Sequence, residues 1–243
     1  MNTSSTARDE ISCRPGAPQF AAHARELLQP FRDAGVIRRL RARQVLTRAT
    51  DSSAQLHIVE EGMLVETMHL SDRRRSLLGF YYPGEPIACS TGLRAGKTVL
   101  AATAAVVLRV GSAGVQQLLE SRPAAAGTLI AALSRRAERA SLHGAMLALK
   151  GEERLATFLL EAAMHMGRRI GDHVALPMPI GREDIADYLG LNADTVSRIF
   201  SRLKRAGILA FDGRSMLHVL DWRRLSTLSP FAAALWPGAA VDA

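Results

Sequence analysis

The sequence predicts an α+β chain: a small antiparallel β-domain, then a long helix, then a helix-turn-helix followed by a β-hairpin. Three observations lead there. Between residues 36 and 110, short β-prone runs alternate with turn residues about every 8–12 positions. From Pro123 to about Lys150, small and apolar side chains recur at alternating spacings of four and three. Residues 180–209 read as two short helices around Leu189-Gly190-Leu191, followed by two alternating runs joined by Asp212-Gly213.

Each element has its own local reason. Residues 1–18 mix Ser, Pro and Gly without periodicity and are expected to be a disordered tail. Phe20, Ala24, Leu27, Leu28 and Phe31 then stand at helix spacing. The β-prone runs are Gln55–Glu60, Met63–His69, Ser76–Tyr82 and Val99–Val110, with turns at Glu61-Gly62, Ser71-Asp72 and Pro83-Gly84. They predict a small antiparallel sandwich or barrel within a domain spanning 19–112. Residues 113–121 form a short helix that Arg122-Pro123 breaks. Pro123 suits the first turn of the next helix, where the N–H it lacks has no partner. That helix is expected to reach Lys150, with Gly151 as its stop. Its seam runs through Ala126, Ile130, Leu133, Ala137, Ala140, Gly144 and Leu147. Small residues mid-seam let two copies approach closely, so 113–150 is read as a dimerisation region. Glu152–Met166 is a further helix, with Leu155, Phe158, Leu159, Ala162, Ala163 and Met166 inward. Val174–Leu176 and Met178 lead as a short strand into the motif. Residues 151–243 are thus assigned to a DNA-binding domain.

Within the motif, Ile185, Ala186 and Leu189 pack inward from a helix over Arg182–Leu189, and Gly190 ends it in a left-handed turn. Asn192 caps the second helix, whose core stripe is Val196, Ile199, Phe200 and Leu203. Its outward face begins with residues suited to base edges. Arg198 can bond guanine O6 and N7 with both arms of its guanidinium. Asp194 can accept from cytosine N4, or orient Arg198 one turn on. Ser197 can meet a base at close range. Arg202, Lys204 and Arg205 suit phosphates, which give affinity without sequence information, and Thr195 is either a phosphate donor or a local cap. The hairpin makes a wing, with Arg214 at its tip on the DNA backbone, and Asp221 caps a last short helix through Trp222 and Leu225.

Composition sets bounds. The net charge is +8 and the pI about 10.4. Residues 1–150 hold 20 Lys+Arg against 12 Asp+Glu, and the remainder holds 11 of each. The basic character relevant to DNA is therefore local, at Arg198, Arg202, Lys204 and Arg205. No apolar run approaches the roughly 20 residues of a membrane span, and the N-terminus has no apolar leader core, so a cytoplasmic location without membrane attachment is expected. Cys13 and Cys89 cannot form a disulfide framework. No carboxylate pair, Ser/His/Asp set, phosphate loop or HExxH motif stands in the sequence, which argues against an enzyme.

The stretches EERLATFLL (152–160), DIADYLGLNADTVSRIFSRLKRAGIL (184–209) and YYPGEPIA (81–88) resemble the Crp/Fnr superfamily of bacterial transcription regulators, over about residues 20–225. The resemblance implies an N-terminal double-stranded β-roll like that of cyclic-nucleotide-binding domains, a dimerisation helix and a C-terminal winged helix-turn-helix. It also implies a homodimer that binds double-stranded DNA and contacts RNA polymerase. Asp194-Thr195-Val196-Ser197-Arg198 is similar to the Glu-Thr-Val/Ile-Ser-Arg pattern of the Fnr- and FixK-like branch. It implies that Asp194, Ser197 and Arg198 read a TTGAT…ATCAA inverted repeat. Asp in place of Glu shortens that acid by one methylene. The sensory half departs from the family's known sensors. Two cysteines do not make the four-cysteine iron–sulfur cluster of Fnr. Pro83-Gly84-Glu85-Pro86 keeps only the start of the cyclic-nucleotide signature, so no cAMP site is expected. His23, His57, His69 and His143 remain as axial-ligand candidates for haem. The alternative is a haem- or small-ligand-gated sensor module that acts through protein contacts.

Overall fold

The computed structural model describes residues 29–48, 55–70, 75–89, 96–213 and 215–235. They fall into two compact units that meet in sequence between Gly144 and Ala145. The tail, residues 19–28, Cys13, His23, the Ser71-Asp72 turn and Arg214 lie outside the described residues.

The first unit is a double-stranded β-roll. One sheet has the order β1 (Val36–Leu40), β8 (Ala105–Gly111), β3 (Gln55–Glu61), β6 (Pro86–Cys89). The other has the order β2 (Val45–Arg48), β7 (Lys97–Ala101), β4 (Leu64–His69), β5 (Arg75–Tyr81). All pairings are antiparallel. Side-chain alternation explains the two cores. Val59 and Val107 face Leu64, Tyr81 and Val99 between the sheets. Ile58 and Leu108, one residue along the same strands, join Phe31, Leu118 and Ala125 in a second core. The central strands β3 and β8 are thus apolar on both faces, which is why they read as continuous runs and not as alternation. The run expected over Val99–Val110 is two strands. Ala102 and Thr103 leave the ladder to donate their N–H groups to Met63 O, turning the chain from one sheet to the other.

Helix α1 (Ser112–Ser121) and helix α2 (Pro123–Met146) follow, and Pro123 opens α2 as its sequence position predicts. Alanines 125 and 132 of α2 are buried, and Leu129 packs against the second core. Two arginines continue this inner face. Arg136 donates to Phe80 O at 2.7 Å and to Glu66 Oε2 at 3.0 Å, with its guanidinium 3.6 Å above the Tyr81 ring. Arg139 donates to Phe80 O at 2.8 Å and holds both oxygens of Glu85. The expected seam lies on the other side. Ile130 is 63 % exposed and Leu133 39 %, and Ala137, Ala140 and Gly144 are exposed too.

α2 ends at Met146, four residues before the expected Lys150. Residues 147–149 form tighter turns, with Ala148 N bonded to Ala145 O and Leu149 N to Met146 O. Leu147 therefore lies one residue past the helical seam, in the second compact unit. Gly151 does not stop α2; it is the first residue of α3 (Gly151–Met166). The start of α3 lies against the motif there: a Cβ at Gly151 would sit 3.4 Å from the side chains of both Ile199 and Leu191, at ordinary contact distance.

The second unit packs α3 against a sheet of order β11 (Leu209–Asp212), β12 (Met216–Val219), β10 (His173–Pro177), β9 (Arg168–Ile170). It also contains helices α4 (Arg182–Leu189), α5 (Ala193–Arg205), α6 (Trp222–Thr227) and α7 (Ala232–Leu235). Leu155, Phe158, Leu159, Ala162 and Ala163 of α3 are buried as their spacing predicts. β9 is an element the sequence reading lacks: its three residues are exposed and show no alternation. No described helix is long and apolar enough to cross a membrane.

Candidate nucleic-acid interface

The motif is built from local rules. α4 ends at Gly190, whose φ of 60° and ψ of 38° are left-handed, and its N–H returns to Ala186 O and Asp187 O. Leu191 N closes onto Ala186 O. Asn192 then starts α5 by accepting from Thr195 N at 2.7 Å. Val196, Ile199, Phe200 and Leu203 are buried, and they set the rotation of α5 about its axis. That rotation leaves Asp194, Ser197, Arg198, Arg202, Lys204 and Arg205 exposed. Asp194, Ser197 and Arg198 lie in its first two turns, the part that reaches base edges when such a helix enters a major groove.

Three residues absent from the sequence reading hold this helix in place. Arg154 on α3 donates Nε to Leu149 O at 2.8 Å and Nη1 to Leu189 O at 2.8 Å and Gly190 O at 3.3 Å. One guanidinium thus satisfies carbonyls left open at the end of α4 and in the turn after α2. Arg182 lies 3.6 Å above the Phe200 ring and 4.9 Å from the Phe211 ring, joining α4, α5 and β11. Burial lowers the pKa of its guanidinium. Arg224 Nη1 caps the far end of α5 at Ala206 O, 2.9 Å away, while Asp221 caps α6 through Arg224 N. A signal for Arg154 did exist. It stands four residues before Phe158, a charged side chain in register with an apolar stripe.

Beside α5 runs a groove of about 810 Å³, lined by Lys150, Glu152, Thr195, Arg198, Arg202 and Arg205 among others. Arg202 reaches across to Glu152, with Nε–Oε1 and Nη2–Oε2 both 2.9 Å. The wing, β11 and β12, pairs Leu209 with Val219 and Asp212 with Met216. Arg214 at its tip lies outside the described residues.

The haem candidates sit on separate elements: His57 is buried in β3, His69 is exposed at the end of β4, and His143 lies near the end of α2. Among the described residues, no group of three or more His, Cys, Asp or Glu is placed to hold a metal ion. Glu85, which the resemblance places at the start of a cyclic-nucleotide signature, is bound by Arg139 and accepts from Tyr82 N at 3.1 Å.

Residues 153–228 match the family model described as the Crp-like helix-turn-helix domain. The nitrogen fixation regulation protein FixK of Bradyrhizobium diazoefficiens is 30% identical over 180 residues, covering 74% of this chain and 76% of that protein. The transcriptional activator protein Anr of Pseudomonas aeruginosa is 27% identical, over 79% of this chain and 80% of its own. Among solved structures, FixK2 from Bradyrhizobium japonicum superposes with a TM-score of 0.70 at 26% identity, covering 80% of this chain and 97% of that one.

Proposed function

Because the chain belongs to the Crp/Fnr family of DNA-binding transcription regulators, in its Fnr/FixK branch, we propose that it acts in the cytoplasm as a homodimer on a TTGAT…ATCAA-like inverted repeat. The observation that carries this reading is the face of α5. Asp194, Ser197 and Arg198 are exposed together in its first two turns, while four buried side chains and the Asn192 cap fix its orientation. Ser197 and Arg198 meet base edges, and Asp194 either accepts from a base or orients Arg198. Thr195, Arg202, Lys204, Arg205 and Arg214 hold the backbone of double-stranded DNA.

Dimerisation uses the exposed seam of α2, Ile130, Leu133, Ala137, Ala140 and Gly144, with Leu147 just beyond it. A seam this apolar, opposite the face that packs on the roll, supports the assignment. Two copies then present recognition helices to successive major grooves about 34 Å apart. The β-roll serves as a platform that contacts RNA polymerase, with any signal it receives unassigned. In gel-shift titrations, a TTGAT…ATCAA duplex should be bound in preference to a scrambled one, by two chains per duplex. Equal affinity for both duplexes, or one chain per site, would refute the proposal.

A further inference from the structure

The recognition helix carries an arginine that another helix of its own domain holds. Arg202 follows Arg198 by one turn on the exposed face of α5. Its guanidinium meets Glu152 with two parallel bonds, Nε to Oε1 and Nη2 to Oε2, each 2.9 Å. This fork-to-fork pairing is the same geometry that an arginine offers a phosphate. Glu152 is fixed from below, because α3 is rooted in the core of the domain and Glu153 bonds the N–H of Lys150 at its start. The pair is nonetheless open to solvent, with side-chain exposures of 56 % for Arg202 and 30 % for Glu152. An ion pair exposed to this degree is readily exchanged for another.

We propose that Glu152 is a specificity-determining residue. It keeps Arg202 closed on DNA of arbitrary sequence and yields it to a backbone phosphate only when Ser197 and Arg198 have seated α5 against the right bases. The inference rests on the proposed reading of α5 as the DNA-reading helix. Its physical basis is counterion release. A cation that neutralises a phosphate releases condensed ions and steepens the salt dependence of binding, whereas one already neutralised by a carboxylate contributes little. In a loosely held, sequence-independent complex, Arg202 remains with Glu152. In the seated complex a phosphate arrives at bonding distance, and the guanidinium changes partner without losing its charge pairing.

The test is the affinity of the full chain for operator and scrambled duplexes between about 50 and 200 mM salt. It compares the native protein with Glu152→Gln, Arg202→Ala and the double variant, each first shown by its melting curve to be folded. Glu152→Gln should steepen the salt slope on scrambled DNA by about 0.9 for each recognition helix engaged and narrow the ratio of operator to scrambled affinity. Arg202→Ala should leave the scrambled slope of the native protein unchanged, flatten its operator slope, and remove the steepening that Glu152→Gln adds. If Glu152 were only a strut between α3 and α5, Glu152→Gln would weaken operator binding and leave the scrambled slope as it was. That result overturns the inference while the DNA-reading assignment stands. So does a scrambled slope that Arg202→Ala flattens in the native background. A native protein without operator preference overturns both.

Discussion

Arg198 and Lys204 are exposed on the same helix six residues apart, and their positions call for different contributions to binding. Arg198 lies in the N-terminal turns that reach base edges, where a bidentate contact to guanine discriminates between sequences. Lys204 lies in the last turn, where a point charge meets phosphate. Arg198→Ala should therefore cost about 1–3 kcal/mol on the operator and little on scrambled DNA, lowering the ratio of the two. Lys204→Ala should weaken both duplexes alike and flatten both salt slopes. Competition titrations with the two duplexes measure the difference, and an equal loss for Arg198→Ala would remove it from base readout. At this scale the sequence was informative wherever the rule is local. Gly190, the Asn192 cap and the stripe of Val196, Ile199, Phe200 and Leu203 each follow from spacings of a few residues. Arg182 and Glu152 were not legible, and Arg154 only as a charge in register with an apolar stripe, because Phe200, Arg202 and Leu189, which define their roles, lie 18, 50 and 35 residues away in the chain.

At the scale of elements, the clasp between α2 and the roll links stability to pH. Burial alone would raise the Glu66 carboxyl, but Lys97 and Arg136 together hold it below the usual carboxylate range. Lys97 Nζ lies 3.2 Å from one oxygen, and the Tyr81 hydroxyl donates to the other at 3.0 Å. Burial also pushes the Tyr81 phenol up, so it remains a donor at neutral pH. A carboxyl whose pKa is lowered by folding binds fewer protons folded than unfolded. Its contribution is complete above the ordinary glutamate pKa of about 4.3 and is lost as pH falls through the lowered value. Denaturation midpoints should thus fall on acidification below about pH 4.3, and Glu66→Gln should make that part of the curve shallower. An unchanged pH dependence in the variant would show that the pair contributes nothing to acid sensitivity. Arg136 and Arg139 stand in helical register with Ala125, Leu129 and Ala132, so a charged continuation of the inner face was visible in the sequence. Its meaning was not, since Glu66 and Glu85 sit on other elements. β9 escaped notice for a simpler reason: three exposed residues have no periodicity to read.

For the whole molecule, the order of parts was legible because each part has its own period: β-alternation, a long four-and-three repeat, then two capped helices and a hairpin. The boundary between the units was not, because helical spacing continues smoothly through 144–150 while the structure turns at Leu147. On the proposed function, the exposed seam on α2 makes the pair of chains the unit that acts. Ile130→Glu places a charge at a 63 % exposed position, so it should leave each unit folded. It should convert the dimer to single chains in sedimentation analysis and reduce operator affinity by a larger factor than scrambled affinity, because only paired half-sites reward two helices bound together. A dimer that survives this charge would place the contact elsewhere.

Arg154 fastens the turn after α2 to the tip of the helix-turn-helix through three carbonyls, and Leu147 lies against Gly190 at the same spot. No slack linker therefore separates the last turn of the long helix from the part that reads DNA. Lengthening the chain between Met146 and Lys150 would carry Leu149 O away from Arg154 and undo that fastening while sparing the core of each unit.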